Sequence, residues 1–352
     1  MAIEQPSYAI SLKRFFEGTL SALRANAKSN VQLAAELEAE LARRQTPNKS
    51  TARWEEDRKI FSKKLVRFRP RLIGAFGAYA ALSRQSFSDV EYQGGVPLFR
   101  MLWFLGSAQD DLIDEQAPAE NVTVPDAKQL RRAIFGPEMI FYQAAFTVIG
   151  DKLARSSMSA EQKRYIKVKL SEWFRFLVHQ EAAIMQKRLH ELTFDECTRY
   201  REAQNQKIGE ALIACLNGAR CLDLRFQALE RSVPKLSFRT QIIDDIADIP
   251  EDLGNGRPSY AIGALVDHPE ELKAMREYLQ VHAVGKVTSA LFEHLAPKSS
   301  SQVRKQFDAY GEALKQEGIT GSMLASIGNV IFKYFPTFRN AMYRINPTYG
   351  NF

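Results

Sequence analysis

The stretch Gln241-Ile242-Ile243-Asp244-Asp245-Ile246-Ala247-Asp248 reads as a helix carrying three carboxylates on an otherwise apolar surface. The same Asp-Asp-x-x-Asp spacing occurs at Asp110-Asp111-Leu112-Ile113-Asp114, after the largely apolar run Leu98–Gln109. Residues four apart share a helix face. Asp110 therefore stands over Asp114, and Asp244 over Asp248, with Asp252 next if the helix runs on. Carboxylates stacked on an apolar helix repel one another and lose hydration. A divalent cation relieves both penalties. Mg²⁺ suits the pattern because it takes oxygen ligands from a few carboxylates, water and substrate phosphates. One such cluster is also what a solvated helix face looks like. Two copies with apolar neighbours point to two walls of one metal cage.

The bulk composition narrows the class. With 352 residues, 45% of them hydrophobic and 25% charged, the chain has ample material for a core, which argues against disorder. The net charge is +7, but the Lys and Arg are scattered, with no arginine-rich run and no nucleic-acid motif. A solvated surface with some excess positive field for an anionic substrate accounts for the charge, and no nucleic-acid partner is expected. Cys197, Cys215 and Cys221 lack metal-type spacing and read as buried free thiols in a reducing, cytoplasmic setting. The opening residues do not read as a signal peptide, and no apolar run reaches the ~20 residues of a membrane span.

Helical periodicity dominates. It predicts helices over about 9–44, 53–66, 127–133, 137–155, 159–189, 194–224, 269–295, 301–316 and 320–333, with Pro234 ahead of the second acidic helix. Pro250 to Pro258, with Gly254 and Gly256, reads as a strong breaker. No alternating strand pattern stands out. The expectation is one all-α domain over 1–352, with an N-terminal helical extension over 1–50 and an aromatic tail over 334–352. His190, His268, His282 and His294 have no ligand spacing and read as surface or capping residues.

With both acidic clusters placed, the chain resembles the trans-isoprenyl diphosphate synthase and class I terpene synthase superfamily over roughly residues 60–260. Arg67-Phe68-Arg69-Pro70 is similar to the end of that family's early basic motif, and Lys207-Ile208-Gly209 stands in the place of its Lys-Thr motif. Asp110 to Asp114 and Gln241 to Asp248 match its two aspartate-rich motifs. Two departures matter. Lys64-Leu65-Val66 replaces the family's Gly-Gly-Lys, and Glu115 to Glu120 lacks the Arg pair that follows the first motif in chain-elongating members. Those basic groups bind the second, homoallylic diphosphate, so the resemblance favours a cyclase over an elongase. The run Asp248 to Arg257 is also similar to the second motif of squalene and phytoene synthases, whose other motifs are missing.

The resemblance implies a single helical bundle of the isoprenoid synthase type with a central active-site cavity, a Mg²⁺ cluster, and dimers as the usual assembly. It implies a terpene synthase that ionises a linear C15 or C20 allylic prenyl diphosphate, with chain elongation or head-to-head coupling as alternatives. Asp110, Asp111, Asp114, Asp244, Asp245 and Asp248 are the expected metal ligands. Arg67, Lys207, Gln241 and Arg257 are the expected diphosphate contacts. Phe99, Trp103, Gly106 and Ser107, just before the first motif, are expected to line the pocket, and Gln180 lies where the family has a Gln near the active site. Aromatic faces there would steady a cation, although plain core packing accounts for any single one of them.

Overall fold

The computed structural model describes residues 35–36, 39–40, 42–43, 140–176, 179–180, 182–185, 187–217, 224–282 and 284–316. The first acidic motif, Arg67, the expected pocket residues Phe99, Trp103, Gly106 and Ser107, and the aromatic tail all lie outside them. Every regular element among the described residues is helical, so the fold class is all-α. The helices are α1 (Ile140–Arg155), α2 (Ala160–Phe176), α3 (Ala182–Met185), α4 (Phe194–Asn217), α5 (Leu224–Ala247), α6 (Ile249–Asn255), α7 (Tyr260–Asp267), α8 (Pro269–Val281), α9 (Ser289–Leu295) and α10 (Pro297–Gln316). No described helix is long and apolar enough to cross a membrane.

The described residues fall into two compact units. One holds 35–36, 39–40, 42–43, 140–172, 210–217 and 224–230. Val148, Ile149, Leu153, Ile166, Ala211, Ala214 and Cys215 are buried there. Lys169 bridges to Glu210 at 2.9 Å and ties α2 to α4. The other unit holds 173–209 and 231–316. Its core is built round α7, whose residues Tyr260, Ala261, Ile262, Gly263, Ala264 and Leu265 are all buried. Leu192, Cys197, Phe238, Ile242, Met275, Val287, Phe292, Val303 and Tyr310 pack with them. A helix apolar on every side belongs in an interior.

Several boundaries differ from the periodicity. Within the span expected as one helix over 159–189, α2 covers Ala160–Phe176 and α3 Ala182–Met185, and a 3-10 turn, Leu189–Glu191, precedes α4. Thr193 explains the restart, because its hydroxyl accepts from the Glu196 N–H at 3.2 Å and caps α4. The supposed breaker at Pro250 is itself helical. Pro250 falls in the first turn of α6, where its missing N–H costs nothing. Gly256, at φ 65°, closes α6 in the left-handed region that favours glycine. Nor does Pro234 precede the acidic helix; α5 runs through it. The helix expected over 269–295 is broken between α8 and α9 by a tertiary bond. Val287 is fully buried and its N–H donates to the Ala247 carbonyl at 3.1 Å. His268 and His282 stand at helix caps, as the spacing suggested. Cys197 and Cys215 are free and buried. Burial pushes the Cys197 thiol up to about 12, so it is inert at neutral pH.

Glu271 holds the start of α10. Its carboxylate accepts from the Lys298 N–H and the Ser299 N–H at 2.8 Å each and from the Ser299 hydroxyl at 2.7 Å. Burial raises its pKa, but these donors outweigh that and hold it below the ordinary glutamate value. Its contribution is therefore present above the ordinary glutamate range and lost in acid. Glu271→Ala leaves two first-turn donors bare, and chemical denaturation should show a loss of about 1–3 kcal/mol. A change under about 0.5 kcal/mol would contradict this capping role.

Close packing at Gly263 gives a second test. A Cβ there would lie 2.8 Å from the Phe194 Cα and 2.9 Å from the Cys197 Cβ. Gly263→Ala should destabilise by about 1–3 kcal/mol despite the better helix propensity of alanine. At Gly254, where a Cβ meets nothing within 4 Å, the same change should be neutral or stabilising. Equal effects at the two positions would refute the packing account.

Candidate functional site

The second acidic motif lies at the end of α5, where that helix runs antiparallel to α4. Contacts between them step in opposite directions along the chain. Gly209 faces Pro234, with room for its ring because a Cβ at Gly209 would lie 3.0 Å from the Pro234 Cγ. One turn on, Ser237 donates to Asn205 Oδ1 at 2.8 Å. Two turns further, Arg201 meets Asp245. This register places Asp245 against α4.

Asp245 is 1% exposed and fully engaged. Arg201 approaches it with Nε at 3.3 Å from Oδ2 and Nη2 at 3.1 Å from Oδ1. Gln241 Nε2 donates to Oδ1 at 2.7 Å, and the Tyr260 N–H donates to Oδ2 at 2.8 Å. Tyr260 is the first residue of α7, so Asp245 satisfies a donor that the helix itself leaves open. The Tyr260 hydroxyl lies 3.0 Å from that of Tyr310, which in turn donates to Glu202 at 2.6 Å. The site and the buried helix are thus one bonded network.

The other two carboxylates of the motif point elsewhere. Asp244 is exposed, and Asp248 is half-buried. The ladder persists past the end of α5, with Asp248 N–H to Asp244 carbonyl at 2.9 Å and Asp252 N–H to Asp248 carbonyl at 2.8 Å. The stack Asp244, Asp248, Asp252 expected from the spacing is therefore maintained. Asp248 forms an ion pair with Lys286. Asp252 is 4% exposed, and its Oδ2 has no hydrogen-bond partner. Its other contact is with Ser259, whose hydroxyl also accepts from the Ile262 N–H and caps α7.

The expected diphosphate contacts are placed as follows. Gln241 is committed to Asp245. Arg257 donates to Glu251 at 3.0 Å and bears electrostatically on Asp252. Lys207 is half-buried on α4. It lies six residues from Arg201, about 240° around the helix. Gln180 is exposed. Arg201 is the cation that reaches Asp245, and sequence reading passed over it. The available signal was the polar row Thr198, Arg201, Gln204 and Asn205 at helical spacing, in which Arg201 also donates to Gln204 at 3.0 Å.

Burial dominates the electrostatics. It pushes the Asp245 carboxyl up, against the pull of Arg201, Gln241 and the Tyr260 N–H. Asp252 is raised to about 7, first by burial and then by the neighbouring Asp245 charge.

Among the described residues no group of three or more His, Cys, Asp or Glu side chains is arranged to hold a metal ion. Asp244 and Asp248, one turn apart and outside the Asp245 network, are a donor pair that fits Mg²⁺, which needs only one or two protein carboxylates beside phosphates and water. Asp245 fits poorly, since both its oxygens are already bonded.

No protein-family model matches the chain. No curated protein matches it. Among solved structures, the chain is similar to geranylgeranyl pyrophosphate synthetase from Pyrococcus horikoshii, at 14% identity and TM-score 0.44, over 84% of this chain and 92% of that one.

Two outcomes follow from the site. Arg201→Met leaves a buried carboxylate without its cation, and denaturation should show a loss of about 3–5 kcal/mol; wild-type stability would overturn the pairing. The Asp252 carboxyl, ordinarily at 3.8 and here at about 7, binds its proton more tightly in the folded chain. Its ionisation therefore costs stability, which should fall as pH rises from about 4 to about 7. Stability measured across that range should show a steeper fall in the wild type than in Asp252→Asn. The same slope in both would exclude Asp252 as its source.

Proposed function

We propose that the protein is a Mg²⁺-dependent enzyme of prenyl diphosphate chemistry, and specifically a class I terpene synthase that ionises a C15 or C20 allylic diphosphate. The observation that carries this reading is the pair of Asp-Asp-x-x-Asp motifs, joined to the arrangement of the second. Asp244 and Asp248 are left outside the Asp245 network and one turn apart, while Asp245 is spent on the fold.

On this reading Asp244 and Asp248 would hold Mg²⁺, and Asp110, Asp111 and Asp114 of the first motif would be further ligands. Bound metal would neutralise charge on the departing diphosphate. Arg257, just past the end of α6, and Lys207, on α4 beside α5, would add charge-assisted contacts to the diphosphate oxygens. The C–O bond to the diphosphate breaks, the electron pair leaves with the diphosphate, and an allylic cation remains. No side-chain nucleophile is required. The absence of basic residues over Glu115 to Glu120 supports use of a single allylic substrate rather than chain elongation.

The test is incubation with Mg²⁺ and geranyl, farnesyl or geranylgeranyl diphosphate, each alone and with isopentenyl diphosphate, with products identified by mass spectrometry. A hydrocarbon or terpene alcohol from one allylic substrate alone is expected. Asp110→Asn and Asp244→Asn should each lower that turnover by roughly a hundredfold or more. A longer diphosphate formed only with isopentenyl diphosphate would make the protein an elongase, and turnover that survives both substitutions would dismiss the metal cage.

A further inference from the structure

Asp248 stands at the N-cap of α6, yet its side chain makes no cap bond. An aspartate in that position usually accepts from the first turn. Here the carboxylate instead pairs with Lys286. Lys286 is held there by its neighbour. Val287 is fully buried in the core, and its N–H bonds the Ala247 carbonyl, the last residue of α5. The segment between α8 and α9 is therefore pinned one residue away from the ion pair. Lys286 itself is 55% exposed and Asp248 27%. The ammonium can swing into water at little cost, whereas the carboxylate cannot leave.

We propose that Lys286 is a resident counter-ion that occupies Asp248 when no metal is bound and that a divalent cation must displace. This rests on the reading of Asp244 and Asp248 as metal ligands, and it adds a control on that site: Lys286 lowers affinity for the metal alone. Two like charges cannot share the Asp248 carboxylate without mutual repulsion. Once displaced, the ammonium remains beside the site as a positive charge, so metal binding and anion binding are linked through one side chain.

The test uses Mn²⁺ alone as the probe, with binding to the whole protein read by electron paramagnetic resonance. Lys286→Met should bind Mn²⁺ roughly two- to five-fold more tightly than wild type, the size set by a partly exposed pair. The gain should shrink as NaCl rises, because exposed charges are screened. Lys286→Arg keeps the charge and should bind like wild type. In the Asp248→Asn background the Lys286→Met gain should vanish. If wild type binds Mn²⁺, Asp248→Asn weakens it, and Lys286→Met binds no more tightly than wild type, the counter-ion role is wrong while the metal site stands. If wild type binds no Mn²⁺, or Asp244→Asn and Asp248→Asn bind as well as wild type, the metal-site reading falls and the counter-ion role with it.

Discussion

A carboxylate taken out of water must recover in hydrogen bonds what it loses in hydration. Asp245 does so by drawing donors from three places: Arg201 on α4, Gln241 one turn back on α5, and the first N–H of α7. That single requirement fixes the register of α4 against α5 and the starting point of the buried helix. It also sets the direction of the rest of the motif. Successive helical residues turn by about 100°, so with Asp245 facing inward, Asp244 and Asp248 fall within about 40° of each other on another side. The carboxylates free to meet a cation are defined by the one that is not.

The consequence is a division of labour inside a five-residue motif. Asp245 serves the fold and is chemically satisfied before any ligand arrives. Asp244 and Asp248 carry the charge that a metal would neutralise, with Lys286 standing in at Asp248. Asp252 lies deeper, with one oxygen unpartnered and its proton held to about neutral pH by burial. The row thus grades from exposed to buried along one helix face. The second unit's core backs this row directly, because Ile246 and Ile249 are buried between its members. Loss of packing around α7 would disturb the acidic row as well as the core.

Much of this was legible in the sequence. The 3.6-residue period gave α1 its end and α4 its start, and the all-helical class followed from it. The spacing of Asp244, Asp248 and Asp252 gave a stack that the hydrogen-bond ladder maintains. What periodicity missed was decided by distant partners. The break at Gly285 to Thr288 depends on Val287 bonding Ala247, forty residues earlier in the chain. Pro250 reads as a breaker locally, but a new helix can begin on it. Pro234 is tolerated in α5, with Gly209 across from it leaving space for the ring. Arg201 carries no motif of its own, and its role appears only when α4 lies beside α5. The place of Gln241 in the motif gives no sign that its amide donates to Asp245, a bond that only the folded helix shows. The first acidic motif lies outside the described residues, so its share of the site rests on sequence alone.

The most direct measurement is thermal and chemical unfolding of Asp244→Asn, Asp245→Asn and Asp248→Asn side by side in metal-free buffer. If Asp245 belongs to the fold and its neighbours to the ligand, Asp245→Asn should lose roughly 2–5 kcal/mol, while the other two stay within about 1 kcal/mol of wild type. Equal losses at all three positions, or a stable Asp245→Asn protein, would contradict the division of roles.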